Sequence, residues 1–134
     1  FTNQGARVAP TLLARGPDAE VERATVFSPE VTRQVLAYMR ATVTSGTGRA
    51  ADVPGLAIAG KTGTAELFGG ATGYDERRNF SSFAGVFPAH DPRYVIVVSL
   101  DGVGEGAVGG AIAAPVVART LRRIAPMLGL RVEP

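Results

Sequence analysis

The chain has no cysteine and no tryptophan, one histidine and one lysine among its 134 residues. Without cysteine there is no disulfide framework, no thiol nucleophile and no zinc-thiolate site, and the composition suits either redox compartment. A single histidine, His90, is too few for a multi-histidine metal site. The basic residues are scattered instead of interleaved with aromatics, and a net charge of +2 gives little support to nucleic-acid binding. No apolar run approaches the roughly 20 residues that span a bilayer. Phe1-Thr2-Asn3-Gln4-Gly5 has neither an initiator Met nor a charged-then-apolar leader, so the sequence reads as the inner part of a longer protein. What is present is the length of one domain, with enough apolar content to bury a core.

The elements come in mixed order. Arg7 to Leu13 reads as an extended stretch, with Pro10 confining it to an edge strand or a connection. A helix begins at Ser28 as N-cap, with Pro29 at the first helical position and Glu30 in the first turn. Its expected buried face is Val31, Val35, Tyr38 or Met39, and Val43, and Ser45-Gly46-Thr47-Gly48 ends it. Leu56 to Ala59 reads as a strand leading into the lysine motif. Further strands are expected at Asn79 to Phe87 and Arg93 to Leu100, the latter carrying Tyr94, Val95, Ile96, Val97 and Val98. The short link Pro88-Ala89-His90-Asp91-Pro92 makes those two antiparallel neighbours and places His90 in a turn. Phe68 to Arg78 and the glycine-rich Asp101 to Gly110 are expected loops, and Pro115 is expected to open a helix that Pro126 ends or kinks. The fold class is α+β: an antiparallel sheet with packed helices.

Thirteen of the fourteen basic residues are arginine, and the single lysine, Lys61, stands in Gly60-Lys61-Thr62-Gly63-Thr64-Ala65-Glu66. A compact ammonium among hydroxyls and small residues suits an anionic group. The bland alternative is one solvated surface charge. The stretch Gly55 to Thr62 also fits the spacing of a phosphate-binding P-loop. That motif needs an apolar strand before its first glycine and a helix starting at the Lys-Thr pair. Arg49 to Pro54 is a poor strand and Gly63-Thr64 a poor helix start. If the motif is itself a strand, alternation puts Lys61 and Gly63 on one face and Thr62 and Thr64 on the other. A ligand along the strand edge then meets both hydroxyl and ammonium groups.

Lys-Thr-Gly is one of three motifs of the penicillin-recognising serine acyltransferases. Around it, Ser45-Gly46-Thr47-Gly48, Ser82-Phe83-Ala84-Gly85-Val86-Phe87-Pro88, Pro92-Arg93-Tyr94, Gly109-Gly110 and Ala114-Pro115-Val116 follow in the order of class B penicillin-binding proteins. Across nearly its whole length the chain resembles the cell-division, FtsI-like group. The loop Asp101-Gly102-Val103-Gly104-Glu105 departs from the acidic-proline pattern of that group.

The resemblance implies the C-terminal part, residues 1–134, of a penicillin-binding, β-lactamase-like transpeptidase fold. It implies a peptidoglycan D,D-transpeptidase that cross-links stem peptides ending in D-Ala-D-Ala and is acylated by β-lactams. Lys61 then supplies positive potential for the substrate carboxylate, Thr62, Gly63 and Thr64 line the substrate strand, and the Thr64 backbone N–H is an oxyanion-hole donor. No Ser-x-x-Lys or Ser-x-Asn occurs here, so the nucleophilic serine is expected upstream and the fragment alone is expected to be inactive. Ser82 to Gly85 and Ser45 to Gly48 are read as structural. The resemblance places the parent in the inner membrane, facing the periplasm, with division or cell-wall synthesis proteins as candidate partners. Nothing in the sequence calls for a metal or cofactor. Alternatives are a β-lactam sensor, a class D-like β-lactamase domain, or a non-catalytic partner-binding remnant.

Overall fold

The computed structural model describes residues 2–68, 73–104 and 106–132. Strands β1 (Ala6–Val8) and β2 (Arg23–Thr25) form a short antiparallel ribbon. The expected stretch to Leu13 is thus cut back to three residues, stopping before Pro10, which has no N–H to give a ladder.

Helix α1 (Pro29–Thr44) starts as its sequence dictates, with Ser28 Oγ accepting from Val31 N at 3.3 Å. Glu30 pairs with Arg33 at 3.0 Å. Its carboxyl is held below the ordinary value, chiefly by a backbone hydrogen bond and then by the Ser28 hydroxyl. The buried stripe is Thr32, Leu36 and Val43, whereas Val31 and Tyr38 are 44% and 63% exposed. The first half of the stripe is thereby corrected by one residue, Val31 and Val35 giving way to Thr32 and Leu36, while Val43 and the Met39 alternative hold: Leu36 packs with Ala59, Val86 and Met39, and Thr32 abuts the Gly5 turn. The helix ends at Ser45, and the Thr42 carbonyl then accepts from both Gly46 N and Gly48 N.

After a 3-10 turn at Arg49–Ala51, Val53, Leu56 and Ile58 sink into the core without forming a strand. The expected strand at Leu56 fails because Gly55 and Ala57 both have positive φ, 85° and 46°, which is incompatible with extended chain. One Arg40 nitrogen donates to Asp52 Oδ1 and to the Ile58 carbonyl, each at 2.8 Å, tying this segment to α1.

The main sheet has the order β3-β4-β5, all antiparallel, with β3 spanning Ala59–Phe68, β4 Tyr74–Phe87 and β5 Tyr94–Gly104. The expected loop from Phe68 to Arg78 is largely strand, with residues 69–72 outside the described set. The 101–110 loop is likewise shortened, because β5 runs to Gly104 and helix α2 (Gly109–Ile124) begins at Gly109. Pro115 therefore lies inside α2 and does not open it. The carbonyl it deprives is that of Ala111, on the exposed side where water can serve. The helix ends before Pro126, which sits in the 3-10 turn Ala125–Leu128.

One sheet face carries the core: Phe83 and Phe87 pack with Ala113, Ala114, Val117, Ala118 and Leu121 of α2. Phe83 is fully buried and lies over the paired glycines Gly60 and Gly85, where a Cβ would come within 2.3 Å and 2.8 Å of its ring. The structural role expected of the Ser82–Gly85 stretch is thus, at Gly85, to make room for a ring. On the opposite face Val95 and Val97 are more than half exposed. These findings bear out the α+β class with its antiparallel sheet and packed helices.

Candidate active site

The lysine motif lies wholly within β3, at the edge of the sheet. Its register sets Lys61 opposite Ala84, Thr62 opposite Phe83, Gly63 opposite Ser82 and Thr64 opposite Ser81. Alternation puts Lys61 and Gly63 on the face that α1 covers farther along at Ala59 and Val86, with Thr62 and Thr64 on the face of Phe83 and α2. This rules out the P-loop geometry, because the Lys-Thr pair is sheet and no helix starts there.

Lys61 is exposed and its Nζ donates to the Thr62 carbonyl at 2.7 Å. No carboxylate forms an ion pair with it among the described residues. An ammonium has three protons, so capacity remains for an incoming anion.

The two threonines are held from outside the motif. Thr62 Oγ1 lies 2.9 Å from Thr47 Oγ1, and Thr64 Oγ1 accepts from Gly109 N at 3.1 Å. Two glycines make this approach of α2 feasible. A Cβ on Gly109 would fall 2.4 Å from the Ser82 carbonyl oxygen and 2.6 Å from that of Gly63, and one on Gly110 would fall 2.3 Å from the Thr47 carbonyl oxygen. The buried Ser81 hydroxyl donates to the Ala107 carbonyl and pins the chain just before α2.

An open groove of about 420 Å³ follows the strand beyond Thr64, lined by Thr64, Ala65, Glu66 and Asn79. A second concavity, of about 620 Å³, lies between α1 and the Ala89–Pro92 turn and takes in His90, Asp91, Arg33 and Arg40. It includes none of the lysine motif, and His90 sits in the turn where the sequence puts it.

Lys61, Thr62, Gly63 and Thr64 are therefore brought together along one strand, with ammonium and hydroxyls on its two sides. Sequence reasoning missed Thr47, read only as part of a turn, and Gly109, read as loop. The paired glycines ahead of an apolar helical run were the available signal for a close helix approach.

The chain matches the penicillin binding protein transpeptidase domain family over residues 1–122. It is 39% identical over 129 residues to the probable peptidoglycan D,D-transpeptidase FtsI of Caulobacter vibrioides, covering 86% of this chain and 22% of that protein. It is also 39% identical over 131 residues to penicillin-binding protein PbpB of Mycolicibacterium smegmatis, covering 84% of this chain and 20% of that protein. Among solved structures, penicillin-binding protein 3 of Mycobacterium tuberculosis complexed with aztreonam superposes with a TM-score of 0.80 at 28% identity, over 99% of this chain and 34% of that one. The apo transpeptidase domain of Burkholderia pseudomallei penicillin-binding protein 3 gives 0.78 at 32% identity, over 92% of this chain and 39% of that one. The chain thus spans about a fifth of the curated relatives. With the lysine motif on an edge strand and the match running through most of α2, the chain belongs to the penicillin-binding protein transpeptidase domain family, in its FtsI-like class B group.

Proposed function

We propose that this chain is the C-terminal portion of a peptidoglycan D,D-transpeptidase domain and supplies its substrate-binding strand. The observation that carries the reading is the edge strand Lys61-Thr62-Gly63-Thr64, whose ammonium has no ion-pair partner among the described residues and whose hydroxyls are pinned in place. In the reaction, a serine outside this chain attacks the carbonyl carbon of the penultimate D-alanine. The amide C–N bond breaks, and the terminal D-alanine leaves with a proton on its nitrogen. The amine of a second stem peptide then attacks the acyl-enzyme carbonyl, the ester C–O bond breaks as the cross-link forms, and the amine gives up one of its own protons to the serine oxygen. Splitting one acyl transfer in two lowers each barrier.

Lys61 attracts the terminal carboxylate and contributes to proton transfer around the serine. The Thr62 and Thr64 hydroxyls take the same carboxylate by hydrogen bonds, while the Thr64 backbone N–H faces the developing oxyanion. Loss of such a donor costs about a hundredfold to a thousandfold in rate. A β-lactam, with a carboxylate beside a reactive amide, follows the same path as far as the acyl-enzyme. Support comes from the similar penicillin-binding protein 3 of Mycobacterium tuberculosis, whose structures have been solved in complex with aztreonam and with ampicillin. A cell-division role, with the parent in the inner membrane and the domain in the periplasm, belongs to the same proposal and is supported by the likeness to an FtsI transpeptidase; among the described residues no helix is long and apolar enough to cross a membrane.

The test is intact-mass spectrometry after incubation with a penicillin, on this chain, on the parent-length protein and on its Lys61→Ala variant. The expected result is a stable adduct on the parent, none on the chain alone, and slower formation in the variant. A folded parent that takes no adduct overturns the reading; rapid loss of the adduct identifies a β-lactamase instead.

A further inference from the structure

Thr47 lies outside the lysine motif, in the turn after α1, yet it meets both the motif and the helix packed against it. Its hydroxyl is 2.9 Å from Thr62 Oγ1, and its carbonyl stands where a Cβ on Gly110 would meet it at 2.3 Å. We propose that Thr47 is a positioning residue that turns the Thr62 hydroxyl into a hydrogen-bond donor for a carboxylate lying along the outer edge of β3. The inference rests on the transpeptidase reading and extends it to a residue beyond the strand.

A threonine hydroxyl has one proton and two acceptor lone pairs. At Thr64 the Gly109 N–H already occupies an acceptor position, at 3.1 Å, so the Thr64 proton is free to be given outward. Thr62 reaches the same state only if Thr47 provides the proton in their shared bond. The geometry of the pair permits either direction. A carboxylate settles it, because an ionised carboxylate only accepts, and the chain of bonds then runs from Thr47 to Thr62 to the anion. Each bond in such a chain polarises the next, and bonds ending on a charge are the stronger ones. Both strand hydroxyls thereby present protons to one anion, one prepared by a helix amide and the other by Thr47. Thr47 touches no reacting atom in this scheme, so its effect depends on the ligand's charge.

The test uses the parent-length protein with Thr47→Val, which keeps the side-chain shape without the hydroxyl, and Thr47→Ser, which keeps the hydroxyl. Acylation rates are measured with benzylpenicillin and with its methyl ester, which retains the ring but lacks the anion. Expected is about tenfold slower acylation of Thr47→Val by benzylpenicillin, an unchanged rate with the ester, and recovery in Thr47→Ser. Equal slowing with both compounds, or no recovery in Thr47→Ser, overturns the inference in favour of a purely architectural residue. An unaffected Thr47→Val beside a normally acylated parent overturns the inference alone. A parent that is never acylated overturns the transpeptidase reading and this inference together.

Discussion

Helices α1 and α2 are each 16 residues long and begin in opposite ways. The first turn of α1 is secured by its own neighbours: Ser28 caps it, Pro29 preforms it and Glu30 meets the positive end of its dipole. The first turn of α2 has no side-chain cap from Val108 and no acidic residue, and opens with two glycines, poor helix formers. It is held by Thr64, 45 positions away in sequence, and by the absence of Cβ atoms that lets it lie against β3 and β4. A helix start written locally can be read and altered in isolation. One written by a distant side chain cannot be altered without disturbing the strand that supplies it.

Three changes probe this contrast in the parent-length protein. The largest effect is expected from Gly109→Ala, whose methyl meets the backbone oxygens of Ser82 and Gly63, atoms that cannot swing aside. A loss of about 3 kcal/mol in a denaturant titration is expected, along with slowed β-lactam acylation because Thr64 is displaced. A mutant of wild-type stability would show that α2 does not need this close approach. Ser28→Ala should cost about 1 kcal/mol in the same titration and leave the acylation rate intact; a change in rate would mean the two helix starts are coupled. The smallest effect is the pH response of Glu30. Because its folded-state pKa is lowered, its stabilisation is complete above the ordinary carboxylate range and fades as the pH falls through the folded value. Hydrogen exchange should therefore show the first turn of α1 loosening in acid while that of α2 does not. Glu30→Gln should remove the response, and its persistence would point to another carboxylate.

The same contrast explains what the sequence disclosed. The β4–β5 hairpin was legible because Tyr94 to Val98 is a β-branched and aromatic run after a short turn, and the faces of Lys61 and Thr62 followed from strand alternation alone. The start of α1 was legible from Ser28 and Pro29. Val43 and Met39 of its buried stripe were legible too, but its first half was not, because hydrophobicity favours Val31 over Thr32 while the packing of Leu36 on Ala59 and Val86 decides the rotation. Pro115 was misread for a related reason: its preference for a first helical turn is local, whereas α2 begins six residues earlier through contacts with β3 and β4. At the site, the motif residues could be named from sequence, but Thr47 could not be joined to Thr62 before the turn after α1 was seen against the strand.

Gly60, Phe83 and Gly85 occupy one space, since the ring fills the volume that two side chains would need. The three positions therefore have a single joint degree of freedom. Any residue larger than glycine at 60 or 85 requires a smaller one at 83 and a slight retreat of the facing carbonyl, since Ala84 O lies 2.9 Å from a Cβ on 60 and Ala59 O lies 3.0 Å from one on 85, and no succession of single substitutions reaches that arrangement without passing through a crowded or hollow core. A library that randomises these sites one at a time will find them all immutable, while one that varies them together can reveal alternatives and lift the constraint from the strand that carries Lys61.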